Sequence, residues 1–433
     1  MSLSYQRWPF LPTTAHSPDQ SVQWWGNCFV RTAAIDNFLN SPGSAAIIGN
    51  AGSGKSTALA AYMREAAPRA LKVLYPPQNW PHGPHPWVKG RGHVSQIMAA
   101  TANELIKHLE SEPQKFLKLH SLQQEFLFWL IHKHLRPRTL ARFIFRLGRA
   151  LEQEIERPHD IEDIYPSDTE EADVLGQISE LIELTQAFSF NHIIILCDLN
   201  ETDVISNLED LTALFSSFDL MEQPGYAVRA AFPNVSAIRG LISTGVSGRL
   251  TLVRLDYAQP VIDEMIGRHL LVATNQQFDS FNRLASASVL KQAIQEIKVL
   301  YDHASVAGWL NWTETTLAVY AEQSATKPLT NAKQLAYNFY LRHAPLRLDT
   351  IEQGVWRGPQ FLSLDRQPFD IMTKLFELRG RSSPDALAAI AGSPANLNTL
   401  ISRLRKIVEP IKGRHLYIQN RRDQGYWLEN FIV

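Results

Sequence analysis

Gly49-Asn50-Ala51-Gly52-Ser53-Gly54-Lys55-Ser56-Thr57 decides how the first half of this chain folds. Glycines at Gly49, Gly52 and Gly54 let the backbone curl so that successive N–H groups point at phosphate oxygens, where a side chain would obstruct the turn. Lys55 supplies a point charge for the outer phosphates, and the Ser56 hydroxyl is placed to ligate magnesium. The flanks agree. Ala45-Ala46-Ile47-Ile48 is a buried-strand run, and Ser56 to Ala66 is rich in helix formers, so a helix N-terminus adds its own favourable field at the same point. The stretch from Gly49 to Thr57 is therefore expected to bind a nucleoside triphosphate, ATP with magnesium.

A magnesium site also needs a carboxylate at the end of a second buried strand. His192-Ile193-Ile194-Ile195-Leu196-Cys197-Asp198 offers one, so Asp198 is the expected partner of Ser56 at the metal. Hydrolysis requires a further acid to orient the attacking water. Glu201 is the nearest, with Asp203 behind it, which makes Lys55, Asp198 and Glu201 the expected catalytic set.

Outward from these two strands, short apolar runs alternate with helical patterns, the signature of a parallel sheet flanked by helices. Ser44 to Ile48, Ala70 to Tyr75, His192 to Cys197, Tyr226 to Phe232 and Arg249 to Leu255 are the expected strands. Residues 1–255 read as an α/β P-loop core that carries a helical insertion at about 94–190. The insertion holds a basic run, Lys133, Arg136, Arg138, Arg142, Arg146 and Arg149, then an acidic one from Glu152 to Glu171, and such blocks ordinarily form solvated faces or linkers. Val289, Ile294, Ile297 and Leu300 continue a helical periodicity, so residues 256–350 read as a helical lid. The last segment, 355–433, reads as a separate α+β module.

Composition bounds the rest. At 433 residues, with 45% apolar and 20% charged residues, the chain has the balance of a multidomain globular protein. Two cysteines, Cys28 and Cys197, argue against a disulfide framework. No apolar run approaches the ~20 residues that span a bilayer, so a cytoplasmic protein without a membrane segment is expected. Net charge is -1, which excludes a uniformly basic nucleic-acid coat but not a local patch. His82, His85 and His93 sit in a Pro/Trp-rich stretch with no cysteine near, a poor zinc setting.

The loop, the Asp198 strand and their order resemble the AAA+ and STAND classes of P-loop ATPases, over about Phe29 to Tyr320. Phe29-Val30-Arg31 resembles the segment that packs near the adenine in STAND proteins, and Asp198-Leu199-Asn200-Glu201 is closer to the STAND spacing. Leu199 stands where most AAA+ ATPases carry a glutamate, which implies slow hydrolysis or another water-positioning residue. Asn234 matches the place of a polar phosphate sensor, and Arg239, Arg249 and Arg254 match possible trans-acting fingers. No Gly-x-Pro-Arg lid motif occurs.

In the last segment, Phe361 to Ile371 reads as a strand feeding a helix. A second helix begins at Pro384, and a third, Asn396 to Val408, carries Leu397, Leu400, Ile401 and Leu404 on one side and Asn398, Thr399, Ser402, Arg403, Arg405 and Lys406 on the other. Pro410 stops it. Leu416 to Asn420 and Gly425 to Leu428 then form a hairpin, completing a winged helix-turn-helix. Ile401-Ser402-Arg403-Leu404-Arg405-Lys406 and Gly425-Tyr426 resemble the recognition helix and wing closure of OmpR/PhoB-type response regulators. That resemblance implies a recognition helix in the DNA major groove, with Asn398, Thr399, Ser402, Arg403 and Lys406 as base or phosphate contacts and Arg421 and Arg422 as wing contacts.

The combination implies an ATP-dependent DNA-binding regulator or signalling switch with slow ATPase activity and double-stranded DNA as its partner. Two alternatives share the same parts. One is a DNA-remodelling AAA+ ATPase of replication-initiator or transposition type, self-assembling on DNA; the other is a STAND-type ATPase whose winged helix docks a protein.

Overall fold

The computed structural model describes residues 4–11, 22–75, 86–156, 171–216, 223–241, 249–297, 305–323, 326–421 and 425–432. The short helix α1 (Val22–Asn27) and residues 4–11 do not belong to the P-loop core, as the 1–255 boundary supposed. Residues 4–11 and 22–30 cluster with Tyr257–Val433, and Arg31–Asp256 form the other unit. The reason is specific packing. The Trp24 indole N–H donates to the Pro9 carbonyl at 3.0 Å, the Gln6 N–H donates to Ala273 at 2.8 Å, and Arg7 pairs with the buried Glu314 at 3.4 Å.

In the unit of Arg31–Asp256, α2 (Ala33–Asn40) is capped by the Thr32 hydroxyl, which accepts the Ile35 N–H and so satisfies a first-turn donor. There follow β1 (Ala45–Gly49), α3 (Lys55–Glu65), β2 (Ala70–Leu74), α4 (Pro86–Ser111), α5 (Ser121–His134), α6 (Pro137–Leu151) and α7 (Glu171–Ala187). The remainder is β3 (His192–Asp198), α8 (Glu201–Ser206), α9 (Leu208–Ser216), β4 (Tyr226–Pro233), α10 (Ser236–Leu241) and β5 (Thr251–Arg254). Sheet order is β2-β3-β4-β1-β5 with every pairing parallel. Both faces are covered, which is why β1 and β4 are buried along their whole length; β1 reads as a continuous apolar run, and β4 as one interrupted by the buried Arg229. Ala46 and Ile48 join a core with Ile193, Ile195 and Val228 from the sheet and Leu105, Leu127, Leu130 and Leu181 from α4, α5 and α7. The helical excursion between β2 and β3 thus supplies about half of the core on this face of the sheet. Ala45 and Ile47 point to the opposite face, as strand alternation requires, where α2 and α3 pack. Connections leave β1 in one direction and return from β2 in the other, and ligands bind at the carboxyl ends of strands where such a reversal occurs.

The second unit contains α11 (Gln259–Ala273), α12 (Ala287–Glu296), α13 (Val306–Glu322) and α14 (Ala332–His343). Three antiparallel strands follow, β6 (Leu346–Asp349), β7 (Gly354–Arg357) and β8 (Gln360–Ser363), then α15 (Arg366–Glu377), α16 (Pro384–Ala391) and α17 (Pro394–Val408). The hairpin of β9 (Ile418–Arg421) and β10 (Gly425–Leu428) leads to β11 (Phe431–Ile432), which returns to pair with β6. The expected break between a lid ending at 350 and a module starting at 355 is not a domain boundary. One hydrophobic core joins Leu270, Trp312, Leu335 and Tyr340 of the helices to Ile371, Leu404, Tyr417 and Leu428 of the module. The Tyr417 hydroxyl donates to the Ala344 carbonyl at 2.6 Å, and the Arg357 guanidinium lies 5.7 Å from the Tyr340 ring while donating to Val408 at 3.0 Å. Among the described residues, no helix is long and apolar enough to cross a membrane.

Candidate functional site

The loop after β1 is closed by its own backbone. Gly52 and Gly54 adopt left-handed φ values of 72° and 90°, which L side chains rarely tolerate. A β-carbon at Gly49 would collide with the Ser53 hydroxyl, so only glycine fits beneath the turn. The Ser53 N–H donates to Asn50 at 3.2 Å, and the Lys55 ammonium donates to the same carbonyl at 2.8 Å. The Ser53 hydroxyl oxygen is buried and has no hydrogen-bond partner among the described residues. The first-turn N–H groups of α3, those of Lys55, Ser56 and Thr57, have no intrahelical acceptor. A ring of unspent donors around a lysine is a cradle that fits a polyphosphate.

Asp198 lies at the carboxyl end of β3, half-buried, with β4 between its strand and β1. Burial pulls the Lys55 pKa below the ordinary lysine value, and the Asp198 carboxylate opposes that drop, so the two charges face the same space. That space is a cavity of about 610 Å³ lined by Asn50, Lys55, Ser56, Asp198, Glu201 and Asn234 among others. Its size is that of a small-molecule site, roughly 300–1,000 Å³. Thr57 does not reach the lining, and neither do Gly49, Ser53 and Gly54, which shape the turn instead.

The two acids after Asp198 separate by role. Asp203 accepts the Asn200 N–H at 3.1 Å while the Asn200 side chain accepts the Asp203 N–H at 2.9 Å, a reciprocal cap on α8 that ties its carboxylate to structure. Glu201, one residue inside the helix, stays exposed at the rim of the cavity. The Asn200-x-x-Asp203 spacing is that of a helix cap, so Asp203 does not stand behind Glu201 as a second water-orienting acid. Asn234 donates its side-chain amide to the Asn50 side chain at 3.1 Å and its N–H to Gly49 at 3.1 Å, so it is built onto the loop. Arg239 and Arg254 are exposed, following β4 and ending β5, whereas Arg249 precedes β5 at the sheet's opposite end. His93 has both ring nitrogens occupied, by the Tyr75 hydroxyl at 2.7 Å and the Asp210 carbonyl at 2.8 Å, while His82 and His85 lie outside the described residues.

Asp198→Asn should weaken magnesium-dependent ATP binding by about tenfold or more, the worth of one charge-assisted contact. Glu201→Gln should leave binding intact and slow turnover by about a hundredfold, in the range of a lost general base. Calorimetry alongside phosphate release checks this, and equal loss of binding in both would remove the separate role of Glu201.

In the C-terminal module, Leu397, Leu400, Ile401, Leu404 and Val408 bury one side of α17, leaving Asn398, Thr399, Ser402, Arg403 and Lys406 exposed on the other. Arg403, Lys406 and the exposed Arg421 of β9 make no ion pair among the described residues, and Arg422 lies outside them. Arg405 is consumed internally: its guanidinium donates to the Ile418 carbonyl at 2.7 Å and sits 5.5 Å from the Tyr426 ring. The Tyr426 hydroxyl in turn donates to the Asn398 side-chain oxygen at 2.7 Å, which takes one of that oxygen's two acceptor positions. Gly425, at φ 79°, closes the hairpin where a β-carbon would press on Pro384 at 2.7 Å.

The arrangement in Arg31–Asp256 is that of an α/β P-loop core. No family model matches the chain, and no curated protein matches it. Among solved structures, Cdc6p from Pyrobaculum aerophilum aligns over 99% of this chain and 95% of its own at 10% identity and a TM-score of 0.33. The Aeropyrum pernix Orc1 protein, solved in complex with DNA, aligns over 98% and 93% at 12% identity and a TM-score of 0.38. Superpositions that shallow decide nothing about activity, which rests on the residues themselves.

Proposed function

We propose that this chain is an ATP-dependent DNA-binding protein of the AAA+/STAND kind, in which nucleotide held by the P-loop unit sets how the winged helix engages double-stranded DNA. The single observation that supports it most is the shared core of lid helices and winged helix. Tyr417, Leu404 and Ile371 pack in one cluster with Trp312, Leu335 and Tyr340, so any displacement of the lid helices carries α17 with it. Lys55, Ser56, Asp198 and the loop N–H groups would hold magnesium ATP, which when bound supplies the phosphoryl group for hydrolysis. Turnover is slow in this reading, because the position after Asp198 is the buried Leu199 and, among the described residues, Glu201 is the only acid at the rim not tied into a cap or to the lysine's space.

Duplex binding measured by fluorescence anisotropy, with and without magnesium ATP, tests the reading. Coupling of the usual size would change affinity by about 5–150-fold, and Lys55→Ala would abolish the change. Equal affinity under all conditions would leave two independent sites and no switch.

A DNA-remodelling form of the same reading is favoured by Arg239 and Arg254, exposed beside the strand ends that carry the loop, where a neighbouring copy's nucleotide could meet them. It expects ATP-dependent multimers on DNA by sedimentation, lost in Arg239→Ala or Arg254→Ala. A species that stays monomeric on DNA favours the regulator form.

A further inference from the structure

The basic run at 133–149 is not a linker. Most of it lies on α6, where Arg138, Arg142, Phe145 and Arg149 follow one another at spacings of four, three and four residues and so share a single stripe. The opposite side of the helix, Leu140, Phe143 and Leu147, is buried in the core of the P-loop unit. All four stripe residues are exposed, and Phe145, a large aromatic ring, is 71% exposed in the midst of the arginines. Arg146, on the flank, is neutralised by Glu110 at 2.7 Å. Arg138, Arg142 and Arg149 have no ion pair among the described residues. The helix also begins against its own dipole: Arg136 is the N-cap, Arg138 follows in the first turn, and no acid stands there to offset them.

We infer that this stripe binds single-stranded nucleic acid, with the three arginines on phosphates and Phe145 as a platform for an unstacked base. An exposed aromatic ring framed by cations is the combination that single strands use, because every base offers a face to stack and the backbone supplies the charge. A paired duplex offers Phe145 no such face. A membrane surface fits poorly, since the apolar side of α6 is already spent on the core and one phenylalanine remains for insertion. The site lies on a different unit from α17 and does not depend on the duplex reading.

The test uses the full-length protein with labelled oligo(dT) and oligo(rU), a labelled duplex, and phosphatidylserine vesicles. Arg138→Gln, Arg142→Gln and Arg149→Gln together should lower the log–log salt slope of single-strand binding by about two, at roughly 0.7 per phosphate. Phe145→Ala should weaken single-strand binding by about tenfold with the slope unchanged, and Phe145→Trp should retain it. Unchanged ATP binding in each variant serves as the folding control. Binding of both oligonucleotides assigns the surface to single strands in general, and binding of one alone to that sugar. Unaltered single-strand affinity in the arginine variant and in Phe145→Ala overturns the inference. So does a loss confined to vesicle binding, or a change of oligomeric state with single-strand affinity intact. The duplex arm, read with α17 variants, fails or succeeds separately.

Discussion

Lys55→Ala should abolish measurable ATP binding while leaving the melting temperature unchanged or slightly higher. The two halves of that expectation have different causes. The ammonium is the only cation lining the cavity among the described residues, and a charge-assisted contact to phosphate is worth about 1.5–3 kcal/mol, so its loss alone weakens binding by at least about tenfold; magnesium would then be left as the sole counter-charge to the triphosphate. Folding does not depend on it. Burial holds the Lys55 pKa below the ordinary value, which means the charged form is less comfortable folded than unfolded. A lysine with a depressed folded pKa weakens the fold wherever it stays protonated, and that cost fades only as pH rises past its folded pKa. At neutral pH the variant is relieved of it. Calorimetric titration with magnesium ATP and a thermal melt check both halves, and wild-type affinity in the variant would remove the loop from the nucleotide site.

The second large effect belongs to α17 and its wing. Arg403→Ala, Lys406→Ala and Arg421→Ala together should weaken binding to every duplex and lower the log–log salt slope by about three, near one released counterion per phosphate contact. All three side chains are exposed, so the protein should fold normally. Ser402→Ala should instead change which sequences are preferred, since a hydroxyl in the groove reads base edges. Asn398 should matter less for adenine than its type suggests, because the Tyr426 hydroxyl already takes one acceptor position of its side-chain oxygen and competes with a base for that end of the amide. Salt titrations of the wild type and the triple variant decide between readings: identical slopes would make the winged helix a protein-docking module.

The sequence by itself determined the elements whose cause is local. The five strands of the P-loop unit stand within two residues of where the sequence pattern places them; for β1 and β3, buried through the sheet's interior, the cause is that such strands are written as near-continuous hydrophobic stretches. The glycine loop, Lys55, Ser56 and Asp198 were legible for the same reason: backbone curvature and strand ends are fixed by nearby residues. The apolar spacing of α17 likewise fixed which side faces out. Tertiary structure alone decided the rest. That residues 4–11 and 22–30 pack with the C-terminal unit depends on Trp24, Gln6 and Arg7 finding Pro9, Ala273 and Glu314, contacts mostly between residues hundreds of positions apart. That β6 and β7 form a meander, with β11 completing it, depends on pairing across more than eighty residues, which four-residue strands do not announce. The separation of Glu201 from Asp203 and of Arg405 from Arg403 turned on which neighbour each side chain met. Chemical type and spacing place a charged group on an element, but only the packed chain determines whether that group is already spent on a cap, a carbonyl or a ring, or still free to bind.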